Sequence, residues 1–158
     1  MKIVTVPKNR HTGWRWPKLI KGTFHCVLEF DKDSVYDLGN HDQKDWNKAI
    51  GIKTKFFRPH FESAMLGWRY NVKTQRFERT PYIHEGGKTI HSKKIIEVKQ
   101  LQPVEVRMIP GVGMDITTDN KTISQSFNFK WKIGWMILHW FGGTSKAPKK
   151  VSFKYELI

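Results

Sequence analysis

In the stretch TFHCVLEF, Phe24, Cys26, Leu28 and Phe30 fall on one side of an extended chain, with His25, Val27 and Glu29 on the other. This period of two predicts a strand with one strongly apolar face. AMLGWRY repeats it with Ala64, Leu66, Trp68 and Tyr70 inward. NVKT then supplies a polar turn into QRFERTPYI, which predicts a hairpin. Further strands are predicted in KTIHSKKIIEV, PVEVRMI, GMDITT, TISQSFNFKW, IGWMILHW and KVSFKYELI, parted by turn signals at HEGGK, PGVG, TDNK and FGGTSKAP. A strand every ten to twelve residues or so, about the spacing of an all-β domain, points to an antiparallel sandwich or barrel.

One segment breaks the alternation. In HDQKDWNKAIG, Asp42 is placed to cap a helix and Gly51 to end it, so one short helix is expected near residues 42–50. No repeat, low-complexity tract or shift of composition divides the chain, and residues 1–158 read as a single domain. With 39% hydrophobic and 27% charged residues, the chain falls in the globular class and not the disordered one.

The chemistry-bearing residues are sparse. Cys26 is the lone cysteine, so no internal disulfide forms, and it reads as a small buried side chain. His11, His25, His41, His60, His84, His91 and His139 lack H-x-H or H-E-x-x-H spacing, and no phosphate-cradling or nucleophile motif is present. The expectation is a protein with no metal, no cofactor and no catalytic residues. The opening residues MKIVTVPKNRH lack the apolar run of an export signal, and Ile133 to Gly143 is far shorter than the roughly 20 residues of a membrane span, so a cytoplasmic location is expected.

Charge changes the picture most. With 28 Lys and Arg against 14 Asp and Glu, the net charge is +14, and the resulting field attracts polyanions. The excess gathers toward both ends of the chain, which are expected to meet and share one basic face.

VEVRMIPGVGMDITTDNKTI and IGWMILHWFGGTSKAPKKVSFKYELI resemble the last strands of the concanavalin A-like superfamily of lectins, glucanases and laminin G domains. Gly142, Gly143, Ala147 and Pro148 carry the likeness: an aromatic-rich strand, a Gly-Gly turn, a small residue and proline, then a final strand. The resemblance implies a jelly-roll sandwich whose last strand pairs back near the N-terminus. It also allows a glycoside hydrolase, whose acids on one strand would be matched by Glu29 and Asp31, with Asp33 or Ser34 at the third position in place of the family's glutamate.

The expected partner is RNA, DNA or a nucleoprotein complex, held by cations with help from exposed aromatic rings. Three groups of residues are nominated for that surface. The first combines Lys8, Arg10, Trp14, Arg15, Trp16, Lys18 and Lys21. The second, on and around strands and a hairpin, comprises Lys53, Lys55, Arg58, Arg69, Lys73, Arg76 and Arg79. The third, near the C-terminus, comprises Lys130, Lys132, Lys146, Lys149 and Lys150. By analogy of size and charge, the function expected is a phage or mobile-element inhibitor of a nucleic-acid-targeting defence system, of the anti-CRISPR type. The alternatives are a carbohydrate-binding module of concanavalin-like type, with tryptophans stacked on sugar rings, and a phage structural protein.

Overall fold

The alternating stretches become strands. A computed structural model describes residues 1–13, 18–119 and 121–158. In chain order the strands are β1 (Lys2–Val6), β2 (Leu19–Lys21), β3 (Phe24–Phe30), β4 (Asn47–Lys53), β5 (Ser63–Asn71), β6 (Arg76–Glu85), β7 (Lys88–His91), β8 (Ile96–Val98), β9 (Val104–Ile109), β10 (Gly113–Thr118), β11 (Lys121–Ser126), β12 (Ile133–Trp140) and β13 (Val151–Leu157). Six form one antiparallel sheet in the order β1-β13-β3-β9-β10-β11. The second sheet runs β2-β12-β4-β5-β6-β7, with β8 also pairing β6.

The two sheets pack through their apolar faces, as a β-sandwich does. Phe24, Cys26, Leu28 and Phe30 of β3 are all buried, as are Ala64, Leu66 and Trp68 of β5, while Tyr70 packs half-buried against Phe77. Burial pushes the Cys26 thiol up to about 12, with Glu105 adding to the effect, so it remains a thiol at neutral pH. The final strand returns to the first: Lys2 pairs with Tyr155 and Val6 with Val151. Among the described residues no helix is long and apolar enough to cross a membrane.

Two expectations change. The helix over 42–50 is replaced by a single 3-10 turn, His41–Lys44, capped by Asn40, whose side chain accepts from the Asp42 N–H. Asp42 instead accepts from Ser145 Oγ at 2.5 Å. Residues from Asn47 onward enter β4, where a register shift between Lys48 and Gly51 sets both Ala49 and Ile50 inward. That bulge hides the alternation which would otherwise mark the strand.

The second change concerns the carboxylates after β3. The strand ends at Phe30, and Asp31 caps a 3-10 turn, Lys32–Ser34, by accepting from the Asp33 N–H. Asp33 pairs with Lys150 at 3.0 Å and accepts from Ser152 Oγ. These contacts, with Lys150 foremost, hold its carboxyl below the ordinary range. Glu29, Asp31 and Asp33 therefore do not form the row on one strand face that glycoside hydrolysis would use.

Candidate binding face

On β4, β5, β6 and β12 the residues that do not enter the core build the outer face of the second sheet. Gly51 and Met65 lie side by side, because a Cβ on Gly51 would touch Met65 Cγ. Gly67 lies against Thr80 and Tyr82 in the same way. On this face a cleft of about 360 Å³ is lined by Lys48, Pro59, His60, Met65, Tyr82, His84, Trp140, Gly142 and Gly143.

Trp140 is an exposed ring of the cleft, at 45%. His11 stacks on it with centroids 5.0 Å apart and planes 9° from parallel. His11 is itself fixed, since its Nδ1 lies 2.9 Å from the Phe141 carbonyl and its own carbonyl accepts from the Phe141 N–H. The indole is thus held as a flat, preorganised surface. Beneath the adjoining turn, the Gly142 N–H donates to Asn47 Oδ1 at 2.5 Å, and Asn47 Nδ2 donates to the Tyr36 hydroxyl.

The polar groups have defined states. Lys48 Nζ lies 4.5 Å from the centre of the Tyr82 ring. Burial lowers the Lys48 pKa while Asp45 opposes that, and burial followed by Asp45 raises that of Tyr82. His84 is buried, with Nε2 at 3.4 Å from His60 Nδ1 and Nδ1 at 3.1 Å from Thr89 Oγ1. Burial first, then the charges of His60, Lys48 and His91, push His84 down to about 4. At neutral pH it is an uncharged hydrogen-bonding group.

This carries a pH prediction. The unfolded chain protonates His84 near 6.5, whereas the folded protein resists protonation down to about 4. Stability should therefore fall as pH drops through that window. Urea midpoints measured from pH 7 to pH 4 should decline less steeply for His84→Gln; an identical slope would show that His84 contributes nothing to the acid sensitivity.

The nominated cations are scattered around this face, with one exception. Arg79 is 1% exposed and sits in the core, its guanidinium carbon 4.1 Å from the centre of Phe30, 5.0 Å from that of Phe77 and 6.0 Å from that of Trp68. It points inward with Phe77 because the two are separated by two positions along β6. As a phosphate-binding residue it is thus ruled out. Arg69 is bonded to Glu78 at 2.6 Å and lies over Trp46, and Arg76 is half-buried.

Lys8, Arg10, Lys18, Lys21, Lys55, Arg58, Lys73, Lys130, Lys132, Lys146, Lys149 and Lys150 are exposed. Lys8, Arg10 and Lys146 come together because Asn9 and Arg10 pair with Ala147 through backbone hydrogen bonds. Lys149 joins Lys32 through the latter's carbonyl. Lys21 joins the second sheet with β2, while Lys18 lines a surface recess with Met1, Lys2 and Glu156. Trp14, Arg15 and Trp16 lie outside the described residues.

No metal-holding group of three or more His, Cys, Asp or Glu occurs among the described residues. Sequence reasoning nominated Lys53 but missed Lys48, His60, Tyr82 and His84. Their one signal was alternation: an inward Ala64 and Leu66 turns Met65 and Gly67 outward.

No protein-family model and no curated protein matches the chain. Among solved structures, it is similar to CG-16, a homodimeric agglutinin from chicken liver, with 6% identity over 89% of this chain and 100% of that one and a TM-score of 0.40. It is also similar to the carbohydrate-binding module CBM66 from Bacillus subtilis, with 9% identity over 88% of this chain and 74% of that one and a TM-score of 0.39. Both scores are low, and the chemistry of the face rests on its own residues.

Proposed function

We propose that this protein binds carbohydrate, without turning it over, in the cleft beside Trp140. The observation that carries the reading is the indole fixed flat by His11 at the rim of a cleft whose other polar groups are hydrogen-bond partners. A sugar ring offers a C–H face for the indole and hydroxyls for His60, His84, Tyr82 and Lys48. Apolar contact with a few placed polar groups is the usual composition of a small-ligand site. Trp140→Ala is expected to weaken oligosaccharide binding at least about tenfold, ~1.4 kcal/mol, while leaving the urea midpoint nearly unchanged. Isothermal titration against a panel of immobilisable oligosaccharides checks this, and full binding by the variant overturns it.

A second reading, binding of RNA or DNA, draws on one observation. Of the 28 Lys and Arg, Arg69 and Lys150 are the two that form ion pairs with carboxylates among the described residues. The exposed remainder is free to neutralise phosphate. Such binding would lose affinity steeply between 50 and 200 mM salt, by roughly a thousandfold or more for six or more phosphate contacts. Stacking on a neutral sugar is indifferent to salt over that range, so a salt titration with oligonucleotide and neutral glycan separates the two readings.

A further inference from the structure

The outer face of the second sheet holds the same arrangement twice. Across the β12–β4 ladder, Trp140 pairs with Lys48, and Trp135 pairs with Lys53. Each lysine lies over a further ring: Lys48 over Tyr82 at 4.5 Å, and Lys53 over Phe56 at 4.8 Å. Phe56 in turn meets Trp135 edge to face at 4.7 Å. Each unit is therefore a tryptophan, a lysine and a second aromatic ring, all turned away from the core.

The spacing of the two units is set by the strand. Four residues of β12 lie between Trp135 and Trp140. The bulge in β4 takes up one position, because Lys48 and Lys53 lie opposite Gly67 and Ser63 of β5, four positions and about 14 Å apart at the ordinary rise of a strand. Between them the floor consists of Ile137, Gly51 and Met65, which carry no charge. Neither lysine forms an ion pair among the described residues; Lys53 Nζ donates to the Phe56 carbonyl at 2.6 Å, which uses one of its three hydrogens, so each ammonium has capacity for an incoming anion.

We infer that the ligand of this face is a linear acidic polysaccharide in which charged sugars are separated by neutral ones, lying along β12 and β4 with an anionic group at Lys48 and another at Lys53. The inference rests on the carbohydrate reading above and specifies its ligand. Two tryptophans and two cations fit a chain that presents an apolar ring face and an acid group at intervals. A strand of nucleic acid carries phosphate at every unit and would desolvate charge over the uncharged floor. A chain charged at every sugar would do the same.

The probes are a hyaluronan octasaccharide, whose carboxylates alternate with neutral sugars, the same octasaccharide with its carboxyls reduced to alcohols, oligogalacturonate charged at every sugar, and oligothymidylate. Binding is measured by calorimetry at 50 and 150 mM salt on the full chain, with Lys48→Gln and Lys53→Gln variants whose folding is checked by their urea midpoints. The expected result is that hyaluronan binds at least tenfold more tightly than its reduced form and than oligogalacturonate, and that each variant weakens hyaluronan about tenfold. Should Lys48→Gln fail to fold, the Lys53→Gln comparison decides by itself, because Lys53 lies at the end of its strand. Equal binding of charged and reduced octasaccharide overturns the inference while the carbohydrate reading stands. Absence of binding by every saccharide overturns both. Oligothymidylate bound with the same lysine dependence, and saccharides ignored, names nucleic acid as the occupant and also overturns both.

Discussion

Gly51→Ala is expected to be among the most damaging single substitutions in the molecule, costing about 3 kcal/mol or more and abolishing binding at the cleft. A Cβ at this position would lie 2.1 Å from the Ala64 carbonyl oxygen and 2.7 Å from Met65 Cα. Both are backbone atoms, so no side chain can swing aside, and β4 must move away from β5. That movement shifts Lys48 and Lys53 together, because both are on β4. The control is Gly86→Ala. Nothing lies within 4 Å of its would-be Cβ, and only the left-handed backbone, φ +58°, resists the substitution, at a cost of about 1 kcal/mol. Urea denaturation of both variants tests the contrast, and equal midpoints would show that the β4–β5 contact is looser than its geometry.

The second large effect concerns the buried guanidinium. Arg79→Ala should lose about 2–4 kcal/mol, since a cavity would open among Phe30, Phe77 and Trp68. Arg79→Met should lie within about 1 kcal/mol of the parent, or above it. Arg79 Nη1 donates to the Glu78 carbonyl at 3.1 Å, while Nε has no hydrogen-bond partner among the described residues. Burial pushes its pKa down to about 9, with Tyr36 opposing. Removing the side chain orphans no carboxylate, so the loss is one of volume and of cation–π attraction, and methionine restores the volume. If Arg79→Met falls as far as Arg79→Ala, the three aromatic faces outweigh the desolvation of the charge.

Much of this fold is legible in the alternation of the sequence. The β3 and β5 patterns named their buried residues, and the NVKT, HEGGK and PGVG signals fall at the β5–β6, β6–β7 and β9–β10 connections. The misreadings have local causes. At HDQKDWNKAIG a bulge sends two consecutive residues inward, so a strand imitated a helix boundary. At EFDKD the alternation was extended past the end of β3, where a capping aspartate turns the chain. Arg79 was read by its charge, although Phe77 and Ile83 two and four positions away set its direction inward.

The site was less legible because its parts come from β4, β5, β6, β12 and two connections, and no local motif joins them. Lys53 and Lys55 looked like neighbours on one strand face. In the structure the strand stops at Lys53, and Lys55 lies over Phe61 in the following loop. Only strand order brings Lys48 beside Trp140, and periodicity within one segment does not contain strand order.

The rims of the two sheets bear on self-association. β1, β11, β2, β7 and β8 border the sheets, none longer than six residues, and all but β8 carry a lysine: Lys2, Lys121, Lys21 and Lys88. Short borders that place like charges against each other resist the joining of sheets between copies. Clustering of several molecules on one long ligand would consequently be organised by the ligand, with neighbouring copies spaced along it and not zipped into a continuous ribbon.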